Sequence, residues 1–176
     1  MLTGLEQLTK YAAYHRDRRN IATHVIGVPM IVFSVCILLA RPQFTVAGLT
    51  VSPIVAAWLV SGIYYILLDR SLGVLLTLLL LLMLAMAQLI AAQSTATWLV
   101  AGIGLFVVGW IVQFVGHHYE GRKPAFVDDL IGLLIGPLFV LAELVFALGF
   151  RRPLQNDIEA RVGPTLIRVI PAPTQV

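Results

Sequence analysis

SLGVLLTLLLLLMLAMAQLIAA, residues 71–92, decides the fold class. It carries no charge from Ser71 to Ala92. A helix of that length, at ~1.5 Å per residue, crosses the ~30 Å hydrocarbon core of a bilayer. Backbone N–H and C=O groups in lipid have no water to bond, so the stretch must pair them internally as a helix.

Similar apolar runs flank it at 22–40, 53–69 and 96–116. The connections are short and polar, holding Arg41-Pro42, Asp69-Arg70 and Gln93-Ser94-Thr95. A fifth run, 127–149, has Gly136-Pro137 near its middle. It reads either as one kinked span or as a re-entrant pair of half-helices that enters and leaves by one face. Residues 1–20 read as a short amphipathic helix. At ~100° per residue, Leu5, Leu8, Tyr11, Ala12 and His15 share a side, and Glu6, Lys10 and Asp17 lie elsewhere. Such a helix suits the membrane interface. The expected fold class is therefore all-α: a polytopic transmembrane helix bundle of four full spans, a fifth Gly-Pro-interrupted hydrophobic segment, and an N-terminal interfacial helix. The expected organisation is one integral membrane domain over 1–152 and a tail over 153–176, partly irregular because it holds Pro153, Pro164, Pro171 and Pro173.

Composition agrees. Of 176 residues, 59% are hydrophobic and 12% charged, with mean hydropathy +0.92. Soluble domains carry about twice that charged fraction. The net charge of +3 comes from basic residues in short polar stretches, which read as topology signals and lipid-headgroup contacts and not as a nucleic-acid surface. With four spans and a cytoplasmic amino terminus, Lys10, Arg16, Arg18, Arg19, Arg70, Arg122 and Lys123 all fall inside and only Arg41 outside. A fully crossing fifth run would put Arg151, Arg152, Arg161 and Arg168 outside, against the positive-inside rule; a re-entrant one keeps them inside. No secretory signal precedes the first run. Without an internal-membrane targeting signal the expected location is a bacterial inner membrane, or the endoplasmic reticulum if the source is eukaryotic. The single cysteine, Cys36, permits no disulfide within the chain and reads as a small buried hydrophobe.

Chemistry gathers at the ends of the apolar runs. In this topology His15 and His24 flank the cytoplasmic start of the first span, and His117 and His118 end the fourth. Imidazole suits iron, zinc and copper. Gln113, His117 and Glu120 share a helix face, and His118 points about 100° away. His15 and His24 are nine residues apart, which on one straight helix leaves them on opposite sides. A shared metal therefore requires a break, and Arg16-Asp17-Arg18-Arg19-Asn20 is the place for it. Asn20 and His24, four apart, can share a face. Glu143, alone in an apolar run, is a functional candidate because an intramembrane carboxylate is costly, ~2.5 kcal/mol or more. In a crossing fifth span it lies far from the histidines; in a re-entrant one it climbs back toward them. Tyr65 and Asp69, also four apart, can orient a histidine or, in the plainer reading, cap a helix beside Arg70. Asp128-Asp129 read as acids opening a helix, and the glycines of 102–116 as close-packing positions.

At this point the residues resemble a known family. Tyr14-His15-x4-Asn20-x3-His24-x2-Gly27-Val28-Pro29 looks like the first signature of the yeast-type 2-hydroxy fatty acid dioxygenases, and Gln113-Phe114-x-Gly116-His117-x2-Glu120-x3-Pro124-Ala125 like the second. Gly136-Pro137 and Glu143 fit the family's final hydrophobic stretch. The resemblance implies an Fe(II)-dependent enzyme that uses O2 to convert a 2-hydroxy long-chain fatty acid, such as 2-hydroxy-palmitate, to the acid one carbon shorter and CO2. It matches His15, His24 and His117 to the family's histidines and Glu120 to its acid; His118 falls at a variable place but stays among the candidate ligands. Asn20, Tyr65, Asp69, Gln113 and Glu143 are the expected supporting residues. The acyl chain would lie among the spans, in contact with membrane lipid, with its head at the histidines. Two other readings stand beside it: a zinc-dependent membrane lipid hydrolase using three histidines and an activated water, and a non-enzymatic lipid- or partner-binding membrane protein. The oligomeric state has no signal in the sequence.

Overall fold

A computed structural model describes residues 2–122 and 131–168. Expectations for Lys123, Pro124-Ala125 and Asp128-Asp129, and for Pro171 and Pro173, lie outside the described residues. Seven helices carry the described chain: α1 (Gly4–Ala12), α2 (Arg18–Ala40), α3 (Pro53–Leu68), α4 (Arg70–Ala91), α5 (Thr95–Glu120), α6 (Ile131–Ala147) and α7 (Arg152–Val162). A two-stranded hairpin, β1 (Phe44–Val46) with β2 (Leu49–Val51), links α2 to α3.

Among the described residues three helices, α2, α4 and α5, are long and apolar enough to cross a membrane, or four if α6 and α7 make one broken span. Of the four runs expected to span fully, the second is the shorter helix. The 53–69 run forms a helix of 16 residues, about 24 Å at ~1.5 Å per residue. Two side-chain choices fix its length. Pro53 opens it at the first helical position, and Asp69 turns extended, ending α3 and capping α4 through Ser71 and Leu72 N–H.

α2 and α5 form the closest pair, and the reason is glycine. A Cβ on Gly102, Gly109 or Gly116 would collide with Leu38, Ile31, or Thr23 and Asn20 respectively. These glycines repeat every seven residues along one face, so the two backbones approach as the 102–116 glycines predict. α3 and α4 pack as a hairpin whose contact needs Gly73, since a Cβ there would strike the Tyr65 carbonyl. α1 is pinned to the same end of the bundle: Gly4 meets the Leu68 carbonyl, and buried Leu8, Tyr11 and Ala12 share a core with Leu138, Phe139 and Ala142 of α6.

In the fifth run the break does not fall at Gly136-Pro137, where both expected forms put it. α6 runs without interruption through Pro137. Proline removes one ladder bond and loosens its turn, and the Tyr65 hydroxyl donates to the Leu134 carbonyl in that turn at 2.8 Å. The carbonyl that Pro137 leaves without its N–H is that of Leu133, and the Tyr65 bond from a neighbouring helix falls on the next carbonyl of the same turn. The break comes later. Gly149 (φ +88°) and Arg151 (φ +55°) are left-handed, Phe150 N–H caps back to the Val145 carbonyl, and α7 leaves at 114° to α6. Both ends of this segment touch the C-terminus of α3: Leu134 through Tyr65, and Arg151 through a two-pronged ion pair with Asp69 at 2.6 and 3.1 Å.

Part of the tail is regular. Pro153 sits in the first turn of α7, where its missing N–H costs nothing. After Gly163 the chain returns along residues 16–18: Leu166 N–H donates to the Arg16 carbonyl and Arg18 N–H to the Leu166 carbonyl, both at 2.9 Å.

Candidate metal centre

The break between His15 and His24 is present. α1 stops at Ala12, and Asp17 restarts the chain as the N-cap of α2, its carboxylate accepting from Arg19 N–H at 2.8 Å. The intervening turn swings His15 over the start of α2. α5 brings His117 to the same place from the other side of the helix pair.

The three histidines form one buried group, with a donor atom from each within 4.8 Å of the others. Ring centroids are 4.4 Å apart for His15 and His24, 5.2 Å for His15 and His117, and 5.0 Å for His24 and His117. The Nδ1 atoms of His15 and His24 are each 2.8 Å from a carbonyl oxygen four residues earlier, Tyr11 and Asn20. A carbonyl only accepts, so both Nδ1 atoms carry the proton. Both Nε2 atoms of the neutral rings are then bare lone pairs, and they face each other at 3.0 Å. Two lone pairs at that distance repel unless a cation lies beside both. Two ligands ~2.1 Å from one ion at a right angle lie ~3.0 Å apart, so the donor set fits a transition metal. Burial holds His15 well below the ordinary imidazole pKa, and His24 beside it adds to this. A neutral, oriented imidazole is the form that binds metal.

His118 does not join the group. It is exposed because one step along α5 turns it about 100° from His117, and this corrects its place among the candidate ligands. Glu120 shares the His117 face but lies outside the three-histidine group. Three residues further along the axis is ~4.5 Å, and from there its carboxylate reaches the turn that carries His15. Oε2 accepts from Arg16 N–H at 3.0 Å, Asp17 N–H at 2.8 Å and Asn20 Nδ2 at 3.0 Å, and Oε1 pairs with Arg168 at 2.9 Å. Asn20 therefore serves twice, through its carbonyl to His24 and its amide to Glu120.

Tyr65 and Asp69 do not touch a histidine; they hold α6 and α7 as described. Glu143 meets Arg16, whose guanidinium is 3.7 Å away and 5% exposed. Gln113 is buried near His24 and His117, yet neither amide atom has a partner among the described residues. The sequence reading missed two contributions. The Tyr11 ring stacks flat on His15, centroids 4.2 Å apart at 4°, and Phe139 of α6 lies 5.6 Å from the same ring. The i−4 spacing of Tyr11 to His15, repeated by Asn20 and His24, was the available signal.

A cavity of about 70 Å³ lies beside the histidines, lined by Tyr11, His24, Gln113 and His117 among others. It shares Ile31, Val32, Trp110 and Leu133 with a larger apolar groove of about 430 Å³ that runs past Cys36, Trp58 and Tyr65. The three-histidine corner therefore adjoins an apolar space.

Comparison with known proteins gives two matches. The profile of a family described as 2-hydroxy-palmitic acid dioxygenase Mpo1-like matches residues 2–148. The chain is 36% identical over 161 residues to the 2-hydroxy-palmitic acid dioxygenase MPO1 of Saccharomyces cerevisiae, covering 88% of this chain and 89% of that protein. No solved structure matches.

Proposed function

The chain belongs to the Mpo1-like family of 2-hydroxy-palmitic acid dioxygenases, and from that membership we propose an Fe(II)-dependent membrane enzyme that shortens 2-hydroxy long-chain fatty acids by one carbon. R–CH(OH)–COOH and O2 become R–COOH, CO2 and H2O. The four electrons that reduce O2 all come from the substrate, so the balance needs no second reductant. The observation that carries the reading is the pair of bare Nε2 atoms on His15 and His24 at 3.0 Å, with His117 beside them.

In this reading His15, His24 and His117 would hold the iron. Iron, when bound, supplies a centre that takes up both reactants and passes electrons between them. The Tyr11 and Asn20 carbonyls fix the tautomer and aim of two of the rings. Glu120 positions the turn that carries His15 and is not itself a ligand. Tyr11, Phe139 and Trp110 close the site against bulk water. The groove past Trp58 and Leu134 receives the acyl chain, so the reacting head stays at the histidines while the tail lies in an apolar surround.

The same geometry supports a membrane placement. α1, the start of α2 and the ends of α3 and α5 lie together, and both ends of the α6 segment return to the α3 terminus. We propose that α6 and α7, set at 114° to each other, form a re-entrant segment that enters and leaves the bilayer by one face, with α1 on that face and the histidines just beneath it. Arg151, Arg152 and Arg168 then share one side with Arg16, Arg18 and Arg19, as the positive-inside rule favours.

The test is metal analysis of protein purified anaerobically without chelator, followed by turnover of 2-hydroxy-palmitate. Bound iron is expected, with O2 uptake, shorter acid and CO2 in equal amounts. Bound zinc with ester or amide cleavage and no O2 uptake would sink the reading in favour of a hydrolase.

A further inference from the structure

Gln113 is 4% exposed, lines the cavity with His24 and His117, and leaves both Oε1 and Nε2 unpartnered among the described residues. Burying an amide without partners is unfavourable, so a feature of this kind calls for an occupant that pairs it. The side chain is also held in place. It sits one turn before His117 on α5, and its Cγ and Nε2 press on α2 at Gly27, where a Cβ would come within 3.3 and 3.1 Å of them. Glycine at 27 is what lets the amide lie against the backbone of α2 and face the cavity.

We infer that the Gln113 amide is a substrate-binding group that reads the head of the acid, Nε2 donating to the carboxylate and Oε1 accepting from the 2-hydroxyl. The inference rests on the proposed dioxygenase reading and deepens it. The chemistry of the two partners is complementary. A carboxylate only accepts, and a hydroxyl can donate, so an amide with one donor end and one acceptor end matches the pair. Unsubstituted fatty acids satisfy the donor end and leave Oε1 buried without a donor. A site built to bond a substrate hydroxyl rejects the analogue that lacks it, because its own buried acceptor is left unpaired. Gln113 thereby selects 2-hydroxy acids over plain acids. This differs from orienting a histidine, since the amide bonds to none of them.

The experiment compares wild type, Gln113→Met and Gln113→Glu in the full-length, Fe(II)-loaded protein. It reads iron content, melting temperature without substrate, KM and kcat for 2-hydroxy-palmitate, and inhibition by palmitate. Methionine has the same reach and no amide, so it should keep the iron and melt no lower than wild type. Its KM for 2-hydroxy-palmitate should rise roughly 10- to 100-fold, while inhibition by palmitate changes much less, so that the preference for the hydroxylated acid falls at least ~10-fold. Glutamate, isosteric but acceptor-only and negative, should weaken binding of both acids. An unchanged preference in Gln113→Met, unweakened binding in Gln113→Glu, or loss of iron or of stability in Gln113→Met would each overturn the assignment, the last by making the residue structural. Wild type that does not turn over 2-hydroxy acids at all would instead overturn the dioxygenase reading, and the assignment with it.

Discussion

Glu120 and Asp17 are joined across 103 residues by a 2.8 Å hydrogen bond from the Asp17 backbone to Oε2. With the matching bond from Arg16 N–H, the carboxylate holds the turn between α1 and α2 against the end of α5. The same turn aims His15. Glu120→Ala strands two backbone donors and the Arg168 guanidinium, so it should cost about 3 kcal/mol in thermal or denaturant unfolding and reduce bound metal. Glu120→Gln keeps an acceptor oxygen and should fall between. Wild-type metal content and stability in Glu120→Ala would show that the clamp is not needed.

Metal content separates the four histidines. His15→Ala, His24→Ala and His117→Ala should each lose bound metal and turnover, and His118→Ala should lose neither. Elemental analysis of the four purified variants decides this. Retention of metal in any of the first three would remove that residue from the ligand set.

The α2–α5 contact leaves no room for a methyl group at its inner end. Gly116→Ala forces Thr23 and Asn20 away, and overpacking of this kind costs about 1–3 kcal/mol. Asn20 carries the carbonyl that fixes His24, so metal affinity should fall with stability. Thermal melts with and without added Fe(II) test both, and a variant that binds iron as wild type does would break the link.

Filling the apolar groove should act on chain length alone. Ala57 lines it away from the histidines, and Ala57→Trp should raise KM for 2-hydroxy-palmitate while leaving a short-chain 2-hydroxy acid unaffected. Equal effects on both would place the acyl chain elsewhere.

Acid should expose the Asp69–Arg151 tie. Burial pushes the Asp69 carboxyl up, but Arg151 and the α4 N–H groups outweigh it and hold the pKa below the ordinary value. A lowered folded pKa contributes stability that is present above the unfolded pKa of ~3.9 and is lost as pH falls through the folded value. Wild type should therefore lose stability in that acid range, and Asp69→Asn should start about 1 kcal/mol lower at neutral pH and lose less there. Parallel curves would show that the pair does not control the α6–α7 bend.

The local rules read well from the sequence, and the long-range ones did not. Helical phase alone required a break between His15 and His24 and turned His118 away from His117. The many glycines of 102–116 announced close helix packing. Three features had no such periodic signal. The Tyr65 hydroxyl that bonds the Leu134 carbonyl, in the turn Pro137 loosens, comes from 69 residues away. The length of α3 is set by two terminal residues whose effect hydropathy does not register. Glu120 shares a face with His117, and phase says nothing of which end of that face a carboxylate serves. Its partners in the 16–17 turn and at Arg168 come from opposite ends of the described chain, where no spacing rule reaches.

The return of residues 163–168 along the His15 turn also sets an order of assembly. Arg168 N–H donates to Asp17 Oδ2 at 2.7 Å, and its guanidinium reaches Glu120. The apolar helices can enter the bilayer in sequence as they leave the ribosome, but this last tie to the His15 turn cannot form until residue 168 has emerged. A nascent chain halted at 150 would own every histidine of the site and still lack the strap that fastens one of them down.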